Sequence, residues 1–142
     1  MFKDLEKARP GTRRDLPAVL AALPWNAQGL LPAIAQQHDS GEVLMMAWMN
    51  REALEETLRT GRVCYYSRSR RSLWRKGESS GQVQRLVELR LDCDGDTLLL
   101  RVDQTGPACH TGRRSCFYNR LDGDGLEVIA APEIDPETLY HR

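Results

Sequence analysis

The most constraining stretch of the chain runs from Val87 to Val102. Val87, Leu89 and Leu91 alternate with Glu88, Arg90 and Asp92. After a short acidic interruption, Leu98, Leu100 and Val102 alternate with Leu99 and Arg101. A period of two puts one set of side chains on one face of a pleated strand. Two such runs around Asp94-Gly95 predict a pair of half-buried antiparallel strands.

Other segments extend the pattern. Leu31–Gln37 and Glu42–Met49 are apolar runs on either side of His38-Asp39-Ser40-Gly41, which predicts a β-hairpin. Asn50 is placed to cap a helix over Arg51–Thr60, with Met49 and Leu54 at the staple positions and Gly61 as its stop. Leu54 and Leu58 share one face of that helix. Val63–Ser67 is rich in β formers, whereas Arg68–Gly81 is polar and reads as irregular apart from Leu73 and Trp74. Ser115–Leu121 and Leu126–Ala130 flank Asp122-Gly123-Asp124-Gly125, a further hairpin signal. Residues 1 to about 27 carry Pro10, Pro17 and Pro24 and read as a loosely attached arm, with a short helix at Asp15–Leu23. The expected fold class is α+β, mostly antiparallel β with few helices.

A length of 142 residues fits one domain. Twenty basic residues balance twenty acidic ones, which excludes a bulk polyanion binder but not a local basic patch. No run approaches 18 apolar residues, so no membrane-spanning helix is expected. Pro17 and Pro24 cut the one candidate signal core, Leu16 to Trp25, and Asp4, Glu6 and Asp15 precede it, so a cytoplasmic protein is expected. In that compartment the four cysteines stay reduced.

Cys64, in Val-Cys-Tyr-Tyr, reads as a small core residue. Cys93, Cys109 and Cys116 lie among acids and a histidine and read as metal ligands. Asp92, Asp94 and Asp96 stand at i, i+2 and i+4 around Cys93, an oxygen-rich set that suits Mg²⁺ or Ca²⁺; the alternative is a solvated hairpin tip. An EF-hand is rejected, because Thr97 takes the position that needs glycine. A two-residue turn at Asp94-Gly95 would scatter the carboxylates, so joint ligation requires the segment to curl as a loop. Downstream, Cys109 and Cys116 flank His110 in a loop rich in Gly and Pro. Three thiolates leave an open fourth position, as in a catalytic zinc site; His110 is either a fourth ligand that closes the site or a general base beside it. His38 and His141 lack such company and read as surface residues. The run from Arg62 to Lys76 holds Arg62, Arg68, Arg70, Arg71, Arg75 and Lys76 without an acid, interleaved with Tyr65, Tyr66 and Trp74. That mixture suits nucleotide phosphates and a base, or a single-stranded nucleic acid, or simply a solvated loop. Glu78, Ser79 and Ser80 follow it.

Six blocks, in order, resemble the phosphoribosyl-AMP cyclohydrolase family, the histidine-biosynthesis enzymes that open an adenine ring. They are residues 41–50, 65–70, 73–78, 91–96, 104–112 and 114–118, and the resemblance covers about Leu30 to Tyr118. It implies Zn²⁺ on Cys93, Cys109 and Cys116, Mg²⁺ on Asp92, Asp94 and Asp96, and an intertwined homodimer whose zinc ligands come from both chains. The expected reaction is hydrolytic opening of the N1–C6 bond of 1-(5-phosphoribosyl)-AMP by a zinc-activated water. His110 is expected to move the protons. Arg68, Arg70, Arg75 and Lys76 are expected to clamp the two phosphates, with Trp74 and Glu78 also on the substrate. Gln82 stands where the family often has His or Asn. The chain divides into an arm (1–27), a cyclohydrolase domain (28–131) and a tail (132–142). Two rivals are a zinc-stabilised nucleic-acid-binding module using the Arg62–Lys76 loop and a structural metalloprotein with His110 as fourth ligand. The carboxylates beside Cys93 favour the enzyme, since neither rival needs a hard-cation site, and so a small-molecule substrate with no nucleic-acid or membrane partner is expected.

Overall fold

The structure, a computed structural model, describes residues 1–140; His141 lies outside the described residues. Along the chain come α1 (Phe2–Leu5), α2 (Leu16–Ala22), β1 (Leu31–Gln37), β2 (Val43–Met49), α3 (Arg51–Thr60), β3 (Cys64–Ser67), β4 (Ser72–Arg75), β5 (Gln84–Leu91), β6 (Leu98–Gln104), β7 (Asn119–Asp122), β8 (Gly125–Val128) and α4 (Pro136–Tyr140). The first six strands form one sheet in the order β4-β3-β2-β1-β6-β5, and β7 and β8 form a separate ribbon. Every pairing is antiparallel except that of β1 with β6, which is parallel. The α+β class and the mostly antiparallel sheet match the sequence expectation.

Binary patterning explains the centre of the sheet. β1 buries Leu31, Ala33, Ala35 and Gln37, and β6 buries Leu98, Leu100, Val102 and Gln104, each by strict alternation. The small Ala33 and Ala35 let α3 and the flanking strands close over them with Leu44, Met49, Leu54 and Tyr65. The predicted helix begins where Asn50 accepts a hydrogen bond from the Ala53 amide at 2.8 Å. It ends at Gly61, whose φ of 73° is the left-handed stop that a side chain would strain. Its buried face is Ala53, Leu54 and Thr57. Leu58, read as sharing that face, is exposed instead, and Thr57 replaces it. The Thr57 hydroxyl donates to the Ala53 carbonyl and accepts from the Cys64 amide, which ties α3 to the start of β3.

Three further expectations need correction. Part of the supposedly irregular Arg68–Gly81 segment is strand β4, paired to β3 from Ser67↔Ser72 to Cys64↔Arg75. Its polar residues misled because β4 is an edge strand, and its sequence need not alternate cleanly. In β5 the pairing shifts between Leu86 and Glu88, so Val87 bulges outward and is 45% exposed; Leu86, Leu89 and Leu91 face the core. Finally, the arm is fastened. Leu20 and Leu23 are each 5% exposed within the main core, the Trp25 indole donates to the Leu20 carbonyl, and Phe2 packs against the same core.

Leu20→Ala should therefore cost about 2–5 kcal/mol, as for other buried leucines. Urea unfolding of the full chain measures this, and a midpoint equal to that of wild type would mean that α2 merely rests on the surface.

Candidate active site

Two loops build the site, and each turns on a glycine with positive φ packed against the Gln82 segment. β4 runs into Gly77 (φ 84°), where a Cβ would meet the backbone of Gln82 and Val83 at about 2.5 Å. This turn folds Glu78, Ser79 and Ser80 back toward Trp74. β6 runs into Gly106, where a Cβ would overlap the Gln82 side chain at 1.7 Å. Gln82 is thus a strut between the two loops. It is 6% exposed, its amide nitrogen donates to the Ser80 carbonyl, and its own carbonyl accepts from the Gln104 side chain. Nothing in the sequence pattern marks that role; only the close approach at Gly106 reveals it.

The second loop closes on itself. The Ala108 amide donates to the Arg114 carbonyl and the Cys109 amide to the Arg113 carbonyl, while the Cys116 amide donates to Leu44 in β2. This closure sets the thiols of Cys109 and Cys116 side by side, although six residues separate them. Burial works against the Cys109 thiolate. Hydrogen bonds from the Thr111 hydroxyl, at 3.0 Å, and the Thr111 amide outweigh it, and with Cys116 and Lys76 close by they hold this thiol below its ordinary pKa. Cys116 is exposed as a residue, yet burial of its thiol, followed by the charge of Cys109, pushes it up to about 12. One thiol is ready to ionise and the other resists a second negative charge, a pairing that a bound cation would relieve. Cys64 behaves otherwise. It is fully buried, and burial with Glu56 nearby pushes its thiol up to about 12, in keeping with a core residue.

A cleft of about 490 Å³ opens over Cys116, with Arg70, Trp74, Lys76, Glu78 and His110 among its other walls. Met45, Met46, Gly77, Ser79, Ser80 and Ala108 complete it. The two methionines were legible as part of a matching block but not as a wall of the site. A neighbouring groove of about 470 Å³ shares Met46, Arg70 and Trp74 and is bounded by Trp48 and Arg68, whose guanidinium lies 4.7 Å from the Trp48 ring centroid. Not every predicted contact converges. Arg75 points to the other side of β4 and pairs with Glu56 at 2.7 Å, which takes it out of the cleft. Lys76 turns inward and is 8% exposed, with its ammonium donating to the Ala108 carbonyl at 2.6 Å. Arg75 and Lys76 thus leave the surface that Arg68 and Arg70 share beside the cleft.

The acidic motif sits elsewhere. Between β5 and β6 the chain curls as a loop rather than a tight turn: the Asp92 carboxylate accepts from the amides of Asp96 and Thr97. The carboxylate oxygens of Asp92, Asp94 and Asp96 come within 4.8 Å of one another. The Phe2 ring seals the back of this loop, since a Cβ on Gly95 would meet it at 2.6 Å. Slight burial raises the Asp92 pKa, but hydrogen bonds with Asp96 and the Thr97 amide outweigh it and hold this carboxyl below the usual range. Asp92 and Asp94 in turn push Asp96 up to about 6. Cys93 lies exposed in the same loop. Among the described residues the three thiols do not form a cluster, whereas the three carboxylates do. The reason is topological. Cys93 precedes β6 and Cys109 follows it, and a seven-residue strand holds its ends about 20 Å apart.

Comparison with known proteins agrees with the six blocks. The sequence model of phosphoribosyl-AMP cyclohydrolase matches residues 45–118. The phosphoribosyl-AMP cyclohydrolase of Halorhodospira halophila is 74% identical over 140 residues, 99% of each chain. That of Chromohalobacter salexigens is 70% identical over 139 residues, 98% of this chain and 95% of the relative. That of Alcanivorax borkumensis is 65% identical over 142 residues, the full length of both.

The acidic loop makes a pH-dependent prediction. A pKa raised from 3.8 to about 6 means that the fold holds the Asp96 proton more tightly than the unfolded chain does. The crowding therefore weakens the metal-free fold as pH rises through this window, and fully above it. Saturating Mg²⁺ should raise the melting temperature at pH 7.5, and this gain should shrink near pH 4, where Asp96 is protonated and withdraws one charge from the cluster. An equal gain at both values would mean that the ion binds elsewhere.

Proposed function

The chain belongs to the phosphoribosyl-AMP cyclohydrolase family, and from that premise we propose how its residues carry out the reaction. It is a hydrolase of histidine biosynthesis. The observation that carries the reading is the convergence of His110, Cys116, Trp74 and Arg70 on one cleft beside the thiol pair. The substrate, 1-(5-phosphoribosyl)-AMP, bears a flat ring and two phosphates. Trp74 offers an aromatic wall to the ring. Arg70, with Arg68 in the adjoining groove, offers guanidinium forks to phosphate.

The donor chemistry fits zinc. Cys109 and Cys116 stand together, one of them held below its ordinary pKa, and Cys93 is the third thiol. When bound by three thiolates, zinc supplies a water whose pKa is lowered toward about 7. His110, exposed at the rim of the cleft, takes the proton from the attacking water. Water adds to C6 of the adenine ring, the N1–C6 bond breaks as C6 becomes the carboxamide carbonyl, His110 returns its proton to N1, and the second water proton ends on the exocyclic nitrogen. The ribosyl phosphate on N1 favours this attack by making the ring amidine more electrophilic. Glu78 orients the sugar hydroxyls at the cleft mouth. Asp92, Asp94 and Asp96, whose clustered oxygens suit a hard cation, would hold Mg²⁺.

Cys93 stands a strand's length from the other two thiols, which supports a homodimer in which the Cys93 loop of one copy completes the thiol pair of the other. The exposed apolar side chains of the β7–β8 ribbon, Leu121, Leu126 and Val128, offer surface for such an assembly.

Two outcomes are expected. His110→Ala should retain zinc and lose about 10²- to 10⁴-fold in kcat; loss of the zinc along with activity would make His110 a ligand and the site a structural one. Cys93→Ser and Cys109→Ser should each be inactive alone, yet regain roughly a quarter of wild-type activity when refolded together in equal amounts, because half of the dimers then carry one intact site. No recovery on mixing would place all three ligands within one chain.

A further inference from the structure

Lys76 is the most completely buried cation of the site, and its surroundings differ from those of a phosphate clamp. It is 8% exposed, and none of the ion pairs among the described residues includes it. Its ammonium has three kinds of neighbour. It donates to the Ala108 carbonyl at 2.6 Å, it lies 5.5 Å from the centroid of the Trp74 ring, and the thiols of Cys116 and Cys109 face it. Burial lowers its pKa and the two thiols oppose that shift; no carboxylate contributes.

We propose that Lys76 is a positioning residue for the metal-binding thiol pair, holding the Cys109 backbone and supplying the counter-charge for the two thiolates, instead of gripping a substrate phosphate. This rests on the zinc reading given above. A buried ammonium without an anion is costly, and burial of a charge is tolerated when an opposite charge accompanies it. Glu78 shares the cleft wall but forms no ion pair with Lys76, and the groups whose charge acts on the ammonium are Cys116 and Cys109. Three thiolates around Zn²⁺ leave a net charge of minus one, which one ammonium neutralises. The tether acts on the same element: Ala108 immediately precedes Cys109, so the bond that orients the ammonium also fixes the backbone that presents the first thiol. Both effects belong to the shell outside the ligands, whose members orient them and tune their affinity. Lysine suits the position better than arginine, because a compact ammonium fits between the Ala108 carbonyl and the Trp74 face where a planar fork would not.

The test uses the full chain with Lys76→Met, Lys76→Gln and Lys76→Arg, and reads zinc affinity by competition with a chromophoric chelator beside kcat and KM. Lys76→Met should weaken zinc binding about 10- to 100-fold, lower kcat at partial zinc loading and leave KM within about twofold. Lys76→Gln, which keeps a donor for Ala108 but no charge, should weaken zinc similarly and decides the matter if Lys76→Met does not fold. Lys76→Arg, which keeps the charge but not the compact fit, should recover only part of the affinity. Wild-type zinc affinity in the neutral variants, with or without a rise in KM, would overturn the proposal, and a rise in KM would return Lys76 to the phosphates. Failure of the wild type itself to bind stoichiometric zinc would instead remove the zinc reading on which the proposal rests.

Discussion

The placement of β6 between β1 and β5 is the constraint on which the rest of the structure depends. Leu98, Leu100 and Val102 bury one face of β6, parallel pairing holds it to β1, and antiparallel pairing holds it to β5. A strand fixed on both edges cannot slide by one residue without exposing its whole apolar set. Its two ends are therefore rigid anchors at opposite sides of the sheet. One carries the acidic loop with Cys93, and the other carries the loop with Cys109, His110 and Cys116. Chemistry that requires groups from both ends needs either a long excursion of the chain or a second copy.

Around the thiol loop, backbone packing does more than side-chain chemistry. Gly77 lets its loop approach the Gln82 backbone more closely than any Cβ allows, and Gly106 leaves room for the Gln82 side chain. Gly112 does the same for the C-terminal stretch, where a Cβ would meet the Ile134 carbonyl at 1.9 Å and the Glu133 amide donates to the Gly112 carbonyl. Leu139, 1% exposed, fixes the end of that stretch in the fold. The cleft is consequently a rigid frame built from backbone contacts. Into it project a few polar groups whose environments differ: an exposed imidazole, a buried ammonium, and two thiols of opposite tendency. Differences of this kind between neighbouring titratable groups are what a reaction that moves protons at neutral pH requires.

The acidic loop shows the complementary strategy. Its carboxylates are exposed, so each can ionise, but their proximity makes joint ionisation costly without a cation. Phe2 closes the back of the loop from the far end of the chain, outside the residues that match the family model. Metal affinity at such a site depends on how tightly the oxygens are held together as well as on their number.

Much of this was determined by the sequence alone. The alternations of β1 and β6, the Asn50 cap and the Gly61 stop are local signals, because hydrogen bonding and side-chain direction repeat over a few residues. The ligand types are equally local: thiols beside a histidine and three acids at every second position restrict the metals by hardness and charge. The resemblance in six ordered blocks joined these groups into one reaction. Tertiary structure alone decided the rest. It made Val87 a bulge, because strand pairing fixes register where sequence periodicity only proposes it. It sent Arg75 to Glu56 and Lys76 to Ala108, although both stand in one basic run, because Arg75 ends β4 on one face and Lys76, just past it, continues the alternation to the other. It also separated Cys93 from Cys109 and Cys116, since distance along a chain says nothing about distance in space until the strand between them is laid straight.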